Sequence, residues 1–291
     1  MSQAPHNPGE PGCHPRPADA GSYRRPDPPA PLEIHEIRLA ALPPELDGFT
    51  VLHLTDIHVT RGRPRPEGIR RLLAALKATP VDLVALTGDY MTTRGDEETA
   101  AQTLAEIAGA WRSRLGAFGV FGNHDTIAME ELALKIPGVR WLRNEWADLE
   151  IPGAGSVRVL GASYPEDLFG VALSASEAGS LPSFTMTLAH YPTEIYPASV
   201  LGLPLVLAGH THGGQLRLSA RHAPHTSTDL MGGVASGLLR LRETTCVVSR
   251  GIGQALIEAR WNCPAQAPLL VLRSSGSQST TTQELEIMTA W

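Results

Sequence analysis

The chain has 291 residues, 42% of them hydrophobic and 19% charged, enough apolar material for a sizeable core, which excludes a wholly disordered polypeptide. Its three cysteines, Cys13, Cys246 and Cys263, are too few and too scattered for a disulfide framework or a Cys-x-x-Cys zinc site. A net charge of −6, from 24 basic and 30 acidic residues, argues against a dedicated nucleic-acid binder. Residues 1–31 hold nine prolines and three glycines without apolar periodicity and are expected to form a disordered tail. No run approaches the roughly eighteen apolar residues of a membrane span. Arg24-Arg25 is followed by Pro26, Asp27, Pro28 and Pro29, where an export signal needs an apolar segment. The expectation is a soluble, cytoplasmic chain without a cleaved leader, with peripheral contact at a membrane still allowed.

Phe49–Thr55 is a short apolar run that ends at Asp56. Glu67–Ala78 then carries Ile69, Leu72, Leu73 and Leu76 at helical spacing before Pro80. Val81–Thr87 reads as a second strand, ending at Gly88-Asp89. Asp96–Arg114 reads as a second helix, acidic in its first turn and with Arg112 and Arg114 in its last, as the helix dipole favours. Ala117–Phe121 is a third strand, ending at Gly122-Asn123-His124-Asp125. This β-α-β-α-β succession predicts parallel strands with right-handed crossovers. Further on, Val157–Leu160, Phe184–Leu188, Leu205–Ala208, Gln215–Leu218, Thr245–Ser249 and Leu269–Leu272 read as strands. Residues 126–183 are expected to contribute a substrate-facing cap. One domain is expected over 32–273, followed by a loosely ordered segment, 274–291.

Five apolar runs end in polar groups of metal-ligand type: Asp56-Ile57-His58, Gly88-Asp89, Gly122-Asn123-His124-Asp125, Ala189-His190 and Gly209-His210-Thr211-His212. Ligand sites in open α/β sheets form beyond the carboxyl ends of strands, so these ends are expected to converge. Asp56 and His58 are two apart, as are His210 and His212, and in extended backbone both members of a pair point the same way. Gly88, Gly122 and Gly209 suit sharp departures from a strand. Each group alone is a common turn or capping feature, and a lone histidine is more often a hydrogen-bonded rim residue than a ligand. It is the succession of groups that points to a metal site. Carboxylate and amide oxygens with imidazole nitrogens, and no thiolate, suit Mn²⁺, Fe or Zn²⁺ better than Ca²⁺.

This order, D-x-H, G-D, G-N-H-D, H and G-H-x-H, resembles the calcineurin-like metallophosphoesterase superfamily over about residues 49–273. Within it, Ala-His-Tyr-Pro at 189–192, Gly-His-Thr-His-Gly-Gly-Gln at 209–215 and Ser-Arg-Gly-Ile-Gly at 249–253 look like the YkuE/YaeI-type phosphodiesterases. The resemblance implies an α/β fold, a two-sheet sandwich flanked by helices in α/β/β/α order. It implies two divalent metal ions, Mn²⁺ the first choice and Fe or Zn²⁺ the alternatives. Asp56, His58, Asp89 and His212 would hold one, and Asp89, Asn123, His190 and His210 the other, with Asp89 bridging. His124 would face the substrate as the catalytic residue, and Asp125, next to it in the chain, is a candidate to orient it on chemical grounds. The implied reaction is in-line attack of a metal-bridging hydroxide on the phosphorus of a phosphodiester or pyrophosphate. The implied substrate is a lipid-linked sugar nucleotide such as UDP-2,3-diacylglucosamine of lipid A synthesis. A non-catalytic metal-binding scaffold and a phosphomonoesterase or nuclease of the same superfamily are the alternatives. Thr92 stands where purple acid phosphatases resemble Gly-Asp-x-x-Tyr, and residues 88–95 lack the second aspartate of the protein Ser/Thr phosphatases. Neither subfamily fits.

His53, three positions before Asp56, is assigned by alternation to the other face of its strand, in a structural role. His222 and His225 fall in a polar loop, and Trp111, Trp141 and Trp146 are assigned to packing. Arg250 reads as a phosphate contact or a loop-closing ion pair, and Cys246 as an inert strand residue.

Overall fold

The computed structural model describes residues 32–179, 182–219, 223–226, 230, 235–255, 257–275 and 286–289; the expected N-terminal tail and His222 lie outside them. The first half of the chain supplies β1 (Leu32–Leu39), β2 (Thr50–Leu54), α1 (Glu67–Leu76), β3 (Pro80–Val81), β4 (Leu83–Thr87), α2 (Glu97–Ala110), β5 (Arg112–Ser113), β6 (Ala117–Val120), α3 (Ile127–Ala133) and β7 (Val139–Trp141). The second half supplies β8 (Glu145–Ile151), β9 (Gly155–Ala162), α4 (Leu168–Glu177), β10 (Phe184–Ala189), α5 (Ile195–Leu201), β11 (Leu205–Ala208), β12 (Gly237–Leu241), β13 (Thr244–Val248), β14 (Ala267–Ser274) and β15 (Glu286–Thr289).

One sheet has the order β1-β14-β2-β4-β6-β7 and the other β15-β12-β13-β11-β10-β9-β8; β3 and β5 form a separate ladder. β2, β4, β6 and β7 run parallel, as do β9, β10, β11 and β13. Both faces of these strands are covered, which is why β4 and β11 are apolar runs buried at every position. Leu52, Leu54, Val84 and Leu86 pack with Leu72 and Leu76 of α1 and Leu104 and Ile107 of α2, whereas Val51, Leu83 and Ala85 meet Leu205, Leu207 and Val247 between the sheets. Val206, Ala208 and Val248 pack with Val171 of α4 and Ala198 of α5. The layers are therefore α/β/β/α, as expected.

Several local expectations are corrected. α2 ends at Ala110, not Arg114: Trp111 is already extended, Arg112 pairs with Pro80, and Arg114 Nε reaches Asp82 Oδ1 at 2.9 Å. A strand pairing and a nearby carboxylate outweigh the weak pull of the helix dipole. Gln215–Leu218 is not a strand; Leu216 makes only an isolated bridge to Trp261. The described residues of 126–183 run largely through sheet strands and helices, with Tyr164 against Tyr191 beside His210. β7 extends the first sheet, β8 and β9 the second, and α4 covers the outer face of the latter. Within 274–291, β15 pairs antiparallel with β12 as an exposed edge.

His53 is fully buried on the Val51 side of β2 and shares a 2.8 Å hydrogen bond with Thr87 Oγ1; burial drives its pKa down to about 3. Trp141 stacks on Phe121 with centroids 4.8 Å apart, and Arg158 lies over the Trp146 ring. Among the described residues no helix is long and apolar enough to cross a membrane.

Candidate metal centre

The polar groups after β2, β4, β10 and β11 meet at one edge of the sandwich. Asp56, His58, Asp89 and His212 each offer a ligand atom within 4.8 Å of the others, and Asp89, His190 and His210 do the same. Asp89 belongs to both groups. His190 Nε2 lies 3.2 Å and His58 Nε2 3.4 Å from Asp89 Oδ2, and His212 Nε2 lies 3.2 Å from Asp56 Oδ1. His210 Nδ1 is 3.2 Å from His190 Nε2. Asn123, from the loop after β6, has a buried Oδ1 with no hydrogen-bond partner. Its neighbour His124 donates its backbone N–H to Asp89 Oδ1 at 2.9 Å, which places that loop against the shared carboxylate.

Backbone hydrogen bonds stitch these loops together. Asp56 N donates to Gly88 O, His58 N to Asp89 O and Gly209 N to His190 O, all between 3.0 and 3.1 Å. His210 N donates to the Asp56 carboxylate at 3.1 Å. The approach is close enough that a Cβ on Gly209 would stand 2.1 Å from Thr55 Oγ1 and 2.3 Å from Asp56 Oδ2, so only glycine fits. Gly88 adds a positive φ of 93°.

The ligand residues themselves depart from the extended backbone that their spacing implies. Asp56, His58, Asp89, His210 and His212 have φ of 51°, 44°, 58°, 69° and 52°. Their side chains converge through left-handed turns, not through strand alternation. That conformation costs about 1–2 kcal/mol for a residue with a Cβ and clusters at functional sites.

Burial and charge set the electrostatics. Burial alone would raise Asp89, but His190 and His58 beside it hold the carboxyl well below the usual range. Burial raises Asp56, and the Asp89 charge adds to the effect. His190 is opposed by burial, yet the Asp89 and Asp56 carboxylates carry it up to about 10. His212 is driven well below the usual range by burial, His58 and Arg260, which leaves a neutral imidazole with a lone pair to give. His190 Nδ1 donates to Thr87 O at 2.8 Å, which leaves Nε2 pointing at Asp89. Imidazole and carboxylate donors, a carboxylate shared between two groups and an unpartnered amide oxygen together fit two divalent cations.

A family model described as calcineurin-like phosphoesterase matches residues 49–214. The chain belongs to the calcineurin-like phosphoesterases. It is 27% identical over 220 residues to the uncharacterized metallophosphoesterase YkoQ of Bacillus subtilis, covering 73% of this chain and 79% of that protein. It is 22% identical over 250 residues to YkuE of the same organism, covering 83% and 85%. To phosphodiesterase YaeI of Escherichia coli it is 27% identical over 250 residues, covering 84% and 89%.

Around the ligand groups of this phosphoesterase stand residues of a second tier. The His124 ring lies outside both groups, 4.9 Å from that of His58, and its Nδ1 donates to Thr92 O at 2.7 Å. Asp125 does not touch the His124 ring, contrary to expectation. Its carboxylate accepts the backbone N–H groups of Asp89, Tyr90 and Gly122 at 2.8–2.9 Å, and so ties the β4 and β6 loops. Arg250 pairs with Glu33 and donates to Pro264 O, the loop-closing alternative.

Arg260 escaped the sequence reading. Its guanidinium donates to His212 O at 3.1 Å, Arg250 O at 2.8 Å, Gly251 O at 3.3 Å and, through Nε, Gly253 O at 3.0 Å. Gly253 N in turn donates to Asp56 O at 2.7 Å, so one side chain braces the loops of two ligands. A cation that binds carbonyl oxygens from an aperiodic stretch leaves no pattern in the sequence.

Proposed function

We propose that this calcineurin-like phosphoesterase is a two-metal hydrolase of phosphodiester or pyrophosphate bonds. The observation that carries the proposal is Asp89, a buried carboxylate with His58 and His190, one from each ligand group, within 3.4 Å of one oxygen. Asp56, His58, Asp89 and His212 would hold one cation, and Asp89, Asn123, His190 and His210 the other. Bound there, two divalent cations supply positive charge for phosphoryl oxygens and a water acidic enough to serve as nucleophile near neutral pH.

The remaining work falls to the chain. With the His124 Nδ1–H engaged by Thr92 O, Nε2 is the ring nitrogen left for substrate. Protonated, it donates to a phosphoryl oxygen or to the departing alcohol. Asp125 and Arg260 keep the ligand loops in register. The signatures at 189–192, 209–215 and 249–253 support a YkuE/YaeI-type assignment. A lipid-linked sugar nucleotide such as UDP-2,3-diacylglucosamine is the substrate that likeness supports, with Mn²⁺ as the metal.

Hydrolysis of bis-p-nitrophenyl phosphate with added Mn²⁺ tests the reaction. Turnover is expected, abolished by chelation and reduced about a hundredfold or more by His124→Ala. No turnover with Mn²⁺, Fe²⁺ or Zn²⁺ overturns the proposal. Metal binding without turnover leaves the scaffold reading instead.

A further inference from the structure

Beside the metal centre is a hollow of about 170 Å³ whose walls are mostly apolar (Leu216, Pro224, Ala255, Ile257), with Thr211 and the imidazoles of His212 and His225 among them. No aspartate, glutamate, lysine or arginine lines it among the described residues. His212 therefore belongs both to the ligand group and to an apolar pocket.

The hollow is built, not incidental. Gln215, nearly buried and held at a φ of 45°, donates from Nε2 to Ala255 O at 2.8 Å and Ile257 O at 3.2 Å. Its Oε1 accepts Ala255 N–H at 2.7 Å. This amide ties the loop after His212 to Ala255 and Ile257, and these bonds hold Gln215 in its strained backbone. The result leaves Leu216 and Ile257 37% and 52% exposed at the pocket, with Leu218 and Trp261 further exposed close by along the chain. Apolar side chains gathered around a concave surface, next to a polar reaction centre, are the usual makeup of a ligand pocket.

We infer that this hollow binds an uncharged apolar group, aryl or short alkyl, on the phosphoester that the metal centre hydrolyses. The inference rests on the two-metal reading for its substrate and on the hollow for its specificity. Size sets the group: a cavity of about 150 Å³ lined by apolar side chains takes up benzene. A ring or a chain of similar bulk fills this one, and a longer chain would run out over exposed Leu216.

The test uses methyl, butyl and phenyl p-nitrophenyl phosphate, which share one leaving group, read as kcat/KM with Mn²⁺. Binding of methylphosphonate and phenylphosphonate to the Mn²⁺-loaded protein is measured by calorimetry in parallel. Butyl and phenyl esters are expected to exceed methyl by about tenfold or more, and phenylphosphonate to outbind methylphosphonate by a like factor. In the Leu216→Ser/Ile257→Ser variant both ratios fall to near one while the bound Mn²⁺ is unchanged. Ile257→Ser alone, at a half-exposed side chain, serves if the double variant does not fold. Equal wild-type ratios, or ratios that survive the substitutions, overturn the pocket. Absence of turnover with every ester overturns the hydrolase reading, and the phosphonate ratio then decides the pocket by itself.

Discussion

Asp56, His58, Asp89 and His212 are 0%, 2%, 1% and 7% exposed and have the Arg260 guanidinium behind them. In the group on the other side of Asp89, His210 and Asn123 are only half-buried, and the Tyr191 ring lies 4.1 Å from that of His210. Beyond Tyr191, Glu194 is pushed up to about 7 by burial and the nearby Glu166. One group is deeply buried and braced, with only His212 at the edge of the hollow; the other is half-open through His210 and Asn123, although its His190 is fully buried. The difference predicts that, with metal bound, the more buried group exchanges its ion more slowly than the other.

The largest effect expected is at the residue the two groups share. Asp89→Asn should remove both ions and lower kcat/KM by about a thousandfold or more. Elemental analysis of the purified variant checks it, and retention of a full pair breaks the shared-carboxylate assignment. Next comes the split between the groups. His212→Ala should empty the more buried group, whereas His210→Ala should leave it loaded, so that metal titrations of the two variants lose different phases. Arg260→Gln sharpens the contrast at lower amplitude, weakening the tight phase about ten- to a hundredfold with the weaker phase unmoved. Competition with a chromogenic chelator reads both phases, and equal weakening of the two would reduce Arg260 to a general stabiliser.

The smallest effect concerns pH. His190, raised to about 10 by Asp89 and Asp56 against the opposing effect of burial, stabilises the metal-free fold fully below its unfolded value of about 6.5. That stabilisation is lost as pH rises through 10. Melting temperatures of chelated protein should therefore fall between pH 6.5 and 10, and those of loaded protein should not follow, because a bound cation replaces the proton. A flat chelated profile contradicts the pairing.

The strand ends carrying Asp56, Asp89, His190 and His210 were legible because parallel strands buried on both faces read as unbroken apolar runs, and their ends as breaks to polar residues. How those ends converge was not legible. Strand alternation pointed to extended pairs at 56–58 and 210–212, and the left-handed backbone there is imposed by hydrogen bonds between loops far apart in sequence. Gln215–Leu218 has the alternation of a strand, but the Gln215 amide engages residues 255 and 257, a partnership with no local signature. Arg114 was misplaced because Asp82, its partner, lies 32 positions away. Periodicity reports what a segment buries; it is silent on which distant carbonyl or carboxylate claims a side chain.

The backbone at the ligand residues has a consequence for anyone wishing to harden this protein. Alanine is ordinarily the more stabilising choice over glycine, because it narrows the unfolded ensemble. At His58 and His210, with φ of 44° and 69°, that ranking should invert, and the glycine variants should melt above their alanine counterparts. A directed-evolution campaign that swapped these positions for alanine to gain heat tolerance would therefore lose it, whatever happened to the chemistry.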